Sequence, residues 1–179
     1  MKLKTIAITS LLLPALVVGA LVMSQSNGTL SGEGHARTHD FPVIAQTFDI
    51  NISDQNETGN RTITVTVPVK DITTTIGMRN MHMRTSMFDV KNYPDITFSA
   101  NFNYPLHAGN YVLDGALTIN GVEKPHSLKV KLVNEDGALK ATGSTKITLS
   151  DYDLPMPGMG PMKVLDHVEM TFDVNVPRS

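Results

Sequence analysis

From residue 43 to the C-terminus, apolar and polar residues alternate with period two, and no other feature restricts the fold of this chain as severely. Successive side chains on a strand point to opposite faces, so this alternation predicts strands that are apolar on one side only. Ile44, Phe48, Ile50 and Ile52 share one face of a first strand, with Gln46 as the polar exception. Ile63, Val65, Val67 and Val69 form the inner face of the next, backed by Thr62, Thr64 and Thr66. Pro68 places the end of that strand at an edge or a bulge, because proline donates nothing to a ladder. Further strands carry Ile96, Phe98, Ala100, Phe102 and Tyr104; Tyr111, Leu113, Gly115, Leu117 and Ile119; and Leu128, Val130 and Leu132. Leu139, Ala141, Gly143, Ile147 and Leu149 follow, and Val168, Met170, Phe172, Val174 and Val176 close the chain. Turns separate them at Asn56–Asn60, His107–Asn110, Asn120–Gly121 and Asn134–Gly137. Asn-Gly is the strongest of these hairpin signals, since both residues accept positive φ.

The pattern gives seven clear strands and room for an eighth. Sequential hairpins favour an antiparallel meander. A sheet with one apolar face must bury it, either by closing on itself or by packing on a second sheet. We read the chain as a barrel in preference to a sandwich. A barrel of about eight strands holds side chains and one small ligand. Gly115, Ala141 and Gly143 on the inner face are expected to leave space there; in a sandwich they would instead accommodate large neighbours.

One stretch breaks the period. Gly77 to Phe98 contains four methionines, two arginines and a histidine. The spacing of Met78 with His82 and of Met83 with Met87 predicts a short helix over residues 77–88. Asn92-Tyr93-Pro94 ends it, because a residue before proline is pushed out of the α region.

Length, charge and composition exclude several classes. A chain of 179 residues predicts one folded domain. Cysteine is absent, which removes disulfides, thiolate metal sites and cysteine nucleophiles. A formal charge of −2 with no basic run argues against nucleic acid as a partner. Residues 1–23 pair the cationic Met1-Lys2-Leu3-Lys4 with an uncharged apolar run broken by Pro14 and Gly19. We read them as a secretory signal peptide with small-residue cleavage options near Ala20 and Ser24; the alternative is an uncleaved anchor. Either places the folded part across a membrane, in the periplasm or outside the cell. Residues 24–40 read as a flexible N-terminal segment or a weak first strand, and His35 and His39 within it as solvated. The folded domain is assigned to residues 41–179.

The runs RNMHMRTSMFDVKNYPDITF, GALTINGVEKPHSLKVKL, ITLSDYDLP and KVLDHVEMTFDVNV together resemble the YceI-like family of secreted, lipocalin-like proteins. The family pattern falls on Arg79, His82 and Met83, on Phe88 and Asp89, and on Tyr93 and Pro94. It continues through Leu117 to Val122, Ser150 to Tyr152, and Val164 to Val168. Asn80 departs from it, standing where the family usually has Asp. The resemblance implies an antiparallel lipocalin-like β-barrel with one short helix that binds a long apolar chain, such as a polyisoprenoid or a quinone tail. It implies a non-catalytic carrier of an amphiphilic lipid, needing no cofactor, with membrane contact through the leader or during ligand exchange. On that reading Phe48, Phe98, Phe102, Leu117, Met170 and Phe172 line the cavity. Arg79, His82, Met83, Arg84 and Met87 form a rim that holds the headgroup.

The methionines support a second reading, a periplasmic copper-binding protein. Thioether and imidazole ligands suit Cu(I), and the set would be Met78, Met81, His82, Met83, Met156, Met159, Met162 and His167. The competing explanation is that methionine is an adaptable apolar filler. Nothing predicts an enzyme. There is no G-x-S-x-G elbow, no H-E-x-x-H and no phosphate-cradling glycine loop. Asp151, Asp153 and Asp166 beside His167 read as turn caps.

Overall fold

The computed structural model describes residues 28–54, 59–156 and 163–176. The leader expected over residues 1–23, and Met159 and Met162, lie outside them. Ten strands run in chain order as β1 (Gly28–Ala36), β2 (Asp40–Ala45), β3 (Asp49–Ile52), β4 (Asn60–Pro68) and β5 (Ile72–Thr73), then β6 (Asp95–Asn103), β7 (Gly109–Ile119), β8 (Val122–Glu135), β9 (Ala138–Thr148) and β10 (Val164–Asn175). Between β5 and β6 a single α-helix, α1 (Gly77–His82), passes directly into a π-turn at Met83–Met87. The π-turn closes with Phe88 N–H donating to Met83 C=O at 3.0 Å. The interruption of the β pattern is thus the short helix that the Met and His spacing predicts.

All pairings are antiparallel, in the order β3-β4-β6-β7-β8-β9-β10-β1-β2-β5. The two ends of that order are halves of one hairpin. β2 runs on into β3 and β4 runs on into β5; β3 pairs with β4, and β2 with β5. Gln46 N–H donates to Asp71 C=O at 2.9 Å and carries the hairpin across the gap. Ten segments are therefore eight continuous runs, and the sheet curls into a barrel in which β1 joins the last strand, β10, to β2.

Several expectations change. The segment 24–40, read as flexible or as a weak first strand, contains β1, which pairs on both sides and carries Leu30 and Ala36 into the barrel. Its Gly and Ser content hid it: Gly32 and Gly34 occupy inner positions where Met170 and Phe41 side chains come too close for a Cβ. The domain accordingly begins before residue 41. The strand expected over residues 44–52 also changes face midway. Phe41, Val43 and Ala45 point inward, whereas Ile44 does not; after the bend at residues 46–48 Phe48 and Ile50 do. The partner run shifts through the 3₁₀ turn Val69–Asp71, so each run changes phase where it bends. Tyr104, expected inside, is 40% exposed and lies under the Arg61 guanidinium at 3.9 Å.

The hairpin predicted at Asn120–Gly121 is present, with φ of 51° and 80°, and Asp136–Gly137 repeats it at 49° and 78°. Gly115 and Gly143 do not leave empty space. A Cβ on Gly115 would lie 2.3 Å from Ser99 O and 2.9 Å from Phe98 Cζ; one on Gly143 would lie 2.4 Å from Phe172 Cζ. The rings of Phe98 and Phe172 lie across these glycines, which let the neighbouring strand curl under a large side chain.

Candidate functional site

The barrel encloses a cavity of about 590 Å³, within the range of small-molecule sites. Inward residues of eight runs supply its walls, among them Phe48, Val65, Phe98, Leu117, Leu128 and Phe172. Among the described residues, only His39, Thr74, Arg79, His82, His126 and Thr145 bring polar side chains to it. Leu132 and Phe102, toward one end of the barrel, are buried and do not line the cavity. The other carries α1, the π-turn, the start of β2 and the 3₁₀ turn Leu149–Tyr152, whose Leu149 and Tyr152 are buried. Asp166 ties that turn to β10: the Ser150 hydroxyl and N–H both donate to its carboxylate, at 2.5 and 2.7 Å, and hold it below the usual carboxylate range.

The helix forms the rim. Met78 is 68% exposed and still lines the cavity, so solvent and cavity meet at α1. Asn80 anchors the helix. Its Oδ1 accepts from both the N–H and the hydroxyl of Thr74, each at 2.7 Å, and its Nδ2 donates to Thr73 Oγ1 at 2.9 Å. Thr74 is a buried polar residue, 3% exposed, and these bonds satisfy it. Asn80, the departure from the family pattern, can donate to Thr73 as well as accept from Thr74; an ionised Asp can only accept.

Arg79 is the cation at the mouth. Its guanidinium lies 4.0 Å from the centroid of the Phe41 ring, and Nη2 donates to His39 Nε2 at 3.1 Å. Nη1 is buried without a hydrogen-bond partner. A donor in that condition is costly, and an anionic or carbonyl group placed beside it would remove the cost.

Of the residues predicted to line the cavity, Phe48, Phe98, Leu117, Met170 and Phe172 do so. Phe102 is buried in the packed end of β6 and does not. Of the predicted rim, Arg79, His82, Met83 and Met87 reach the cavity; Arg84 turns away, and its Nη2 donates to Ile72 C=O at 3.1 Å. The thioether set is spread out. Met83 is buried in the wall, Met81 is 54% exposed, and Met156 packs against the buried cluster that contains Leu117 and Leu154. His167 lies on the outer face of β10 against His35. Met78, His82 and Met83 line the cavity, and His167 does not.

Sequence reasoning missed His39, Thr74, His126 and Thr145. The last two were detectable: each lies two residues before an inward apolar side chain, Leu128 and Ile147 respectively, so the same alternation points both inward.

A curled antiparallel sheet around an apolar cavity, rimmed by one short helix, defines a lipocalin-like β-barrel. The chain belongs to the YceI-like domain family, which matches residues 20–176. It is 32% identical over 114 residues to a UPF0312 protein of Photorhabdus laumondii, covering 60% of this chain and 56% of that protein. A UPF0312 protein of Pseudomonas aeruginosa is 29% identical over 134 residues, covering 71% and 66%. The match thus spans under two thirds of the length of these relatives. Among solved structures, Burkholderia cenocepacia BcnA superposes with a TM-score of 0.68 at 19% identity, over 84% of this chain and 96% of that one. A polyisoprenoid binding domain from Saccharophagus degradans superposes with a TM-score of 0.66 at 14% identity, over 83% and 92%. This chain shares the fold of both.

Proposed function

We propose that the protein is a non-catalytic carrier that holds the apolar chain of an isoprenoid-type amphiphile, a polyisoprenoid or a quinone, inside the barrel. The observation behind this reading is the cavity: about 590 Å³, almost wholly apolar, with the unpartnered Nη1 of Arg79 at its open end. Burial of apolar area yields roughly 25 cal/mol per Å², so a chain that removes a few hundred Å² from water gains several kcal/mol before the costs of association. Orientation then needs only a polar contact at the mouth, which Arg79, His39 and His82 offer to a headgroup. The cationic and apolar N-terminal pattern supports export to the periplasm, where such a carrier would exchange its ligand with a membrane.

Native mass spectrometry of the full chain from a secreting bacterial host, followed by organic extraction, tests the proposal. A co-purifying mass that extracts as an isoprenoid or quinone is the expected result. A protein that emerges empty and stays empty when offered such lipids overturns it.

A further inference from the structure

The outer face of the barrel carries a second cluster that the cavity does not use. His35 on β1 and His167 and Glu169 on β10 bring their ligand atoms within 4.8 Å of one another. The rings of His35 and His167 lie 4.9 Å apart between centroids. They meet because, one step beyond Gly34 opposite Val168, the β1–β10 ladder brings position 35 to position 167, before the register shifts at Ala36. Next along the strand, Glu33 and Glu169 stand directly opposite each other, an unfavourable arrangement for two like charges. Lys146 of β9 faces Glu169 from the other side.

His35 is prepared in a particular way. Its Nδ1 meets Asp40 Oδ1 at 2.7 Å. A carboxylate can only accept, so Nδ1 holds the proton, and in the neutral ring Nε2 presents a lone pair. That Nε2 is buried and has no hydrogen-bond partner. A carboxylate fixing one ring nitrogen while the other is free is the arrangement that orients metal-binding histidines.

We propose that His35, His167 and Glu169 bind a divalent ion of the zinc type on the outer face of the barrel, with Asp40 orienting His35. Two imidazoles and a carboxylate suit such an ion, which takes nitrogen and oxygen ligands at about 2.0–2.2 Å. The three ligand atoms, within 4.8 Å of one another, close onto the ion as it binds. The ion offsets the facing Glu33 and Glu169 charges and joins the first strand to the last, the pairing that completes the ring of strands. None of its three ligands lines the cavity, and it shares only His167 with the Met and His set considered for copper.

The test is calorimetric titration of Zn²⁺ into the untagged full chain, with thermal unfolding followed in parallel. One saturable equivalent and a rise in Tm with Zn²⁺ are expected. His167→Ala and the near-isosteric Glu169→Gln, both on the strand surface, should each weaken binding at least tenfold and remove the rise in Tm. His82→Ala at the cavity mouth should leave both unchanged. The absence of a saturable site, or wild-type affinity in folded His167→Ala and Glu169→Gln, overturns the proposal; so does a loss of the site in His82→Ala.

Discussion

His126 and Thr145 meet on the inner wall of the barrel, diagonally across β8 and β9, with His126 Nε2 2.7 Å from Thr145 Oγ1. They are a polar pair in an apolar cavity, and burial pushes the pKa of His126 down from its ordinary 6.5. As pH falls, the unfolded chain takes up the proton first, and stability rises with pH wherever the unfolded state binds more protons. The contribution of His126 is therefore full above about 6.5, declines as pH drops below that value, and stops changing once the folded group is protonated too. His126→Gln keeps a hydrogen-bonding side chain without the titration. Its Tm should fall less than that of the wild type between pH 7.5 and pH 5, as followed by calorimetry. Parallel profiles for the two proteins would show that His126 is not the group responsible.

Much of the barrel was legible because a half-buried strand leaves a period-two trace, which Val65, Phe98, Leu117 and Val130 each keep. The trace fails where a glycine holds an inner position, as at Gly32 and Gly34 of β1, because such a position has no side chain to mark it. It also fails at Gln46–Phe48, where a bend changes the phase without changing the composition. The site was legible in its apolar walls and in Arg79. It was not legible in Arg84, which has the same chemistry as Arg79 but points toward β5. Direction around a π-turn depends on backbone geometry that residue type does not encode.

The Asn80 anchor should be worth measuring directly. Asn80→Ala leaves the Thr74 N–H and hydroxyl without their acceptor. A buried polar group left unsatisfied costs about 1–3 kcal/mol. In a protein of this size each kcal/mol lowers Tm by about 2–4 °C. Thermal unfolding should therefore show a loss of several degrees, and hydrogen exchange should quicken most in α1. An unchanged Tm would mean that the helix is held by its methionines alone.

The inner glycines make opposite predictions about rescue. The three atoms nearest a Cβ at Gly34 all belong to the Phe41 ring, the first at 2.5 Å. A Cβ at Gly115 meets Ser99 O, a backbone atom, at 2.3 Å. Both Gly→Ala changes overpack the barrel, at a cost of about 1–3 kcal/mol. Phe41→Leu should relieve Gly34→Ala, whereas Phe98→Leu should not relieve Gly115→Ala. Double-mutant cycles from chemical denaturation give the two coupling energies. Equal coupling in both pairs would contradict the strand approach described at Gly115.

Tail and headgroup recognition should separate by variant. Ala141 is buried and lines the cavity wall, so Ala141→Phe places a ring in the space proposed for the apolar chain. It should weaken every amphiphile, whatever its headgroup. Arg79→Gln removes the charge at the mouth and leaves the cavity walls in place. A hydrogen bond to a charged group is worth about 1.5–3 kcal/mol, so affinity for an anionic amphiphile should fall roughly 10- to 100-fold. Affinity for a neutral quinone of equal chain length should change little. Displacement of a fluorescent fatty acid gives both affinities on one protein preparation, with circular dichroism to confirm that each variant is folded. If Arg79→Gln weakens the neutral and the anionic ligand equally, Arg79 supports the rim through Phe41 and His39 and does not read the headgroup.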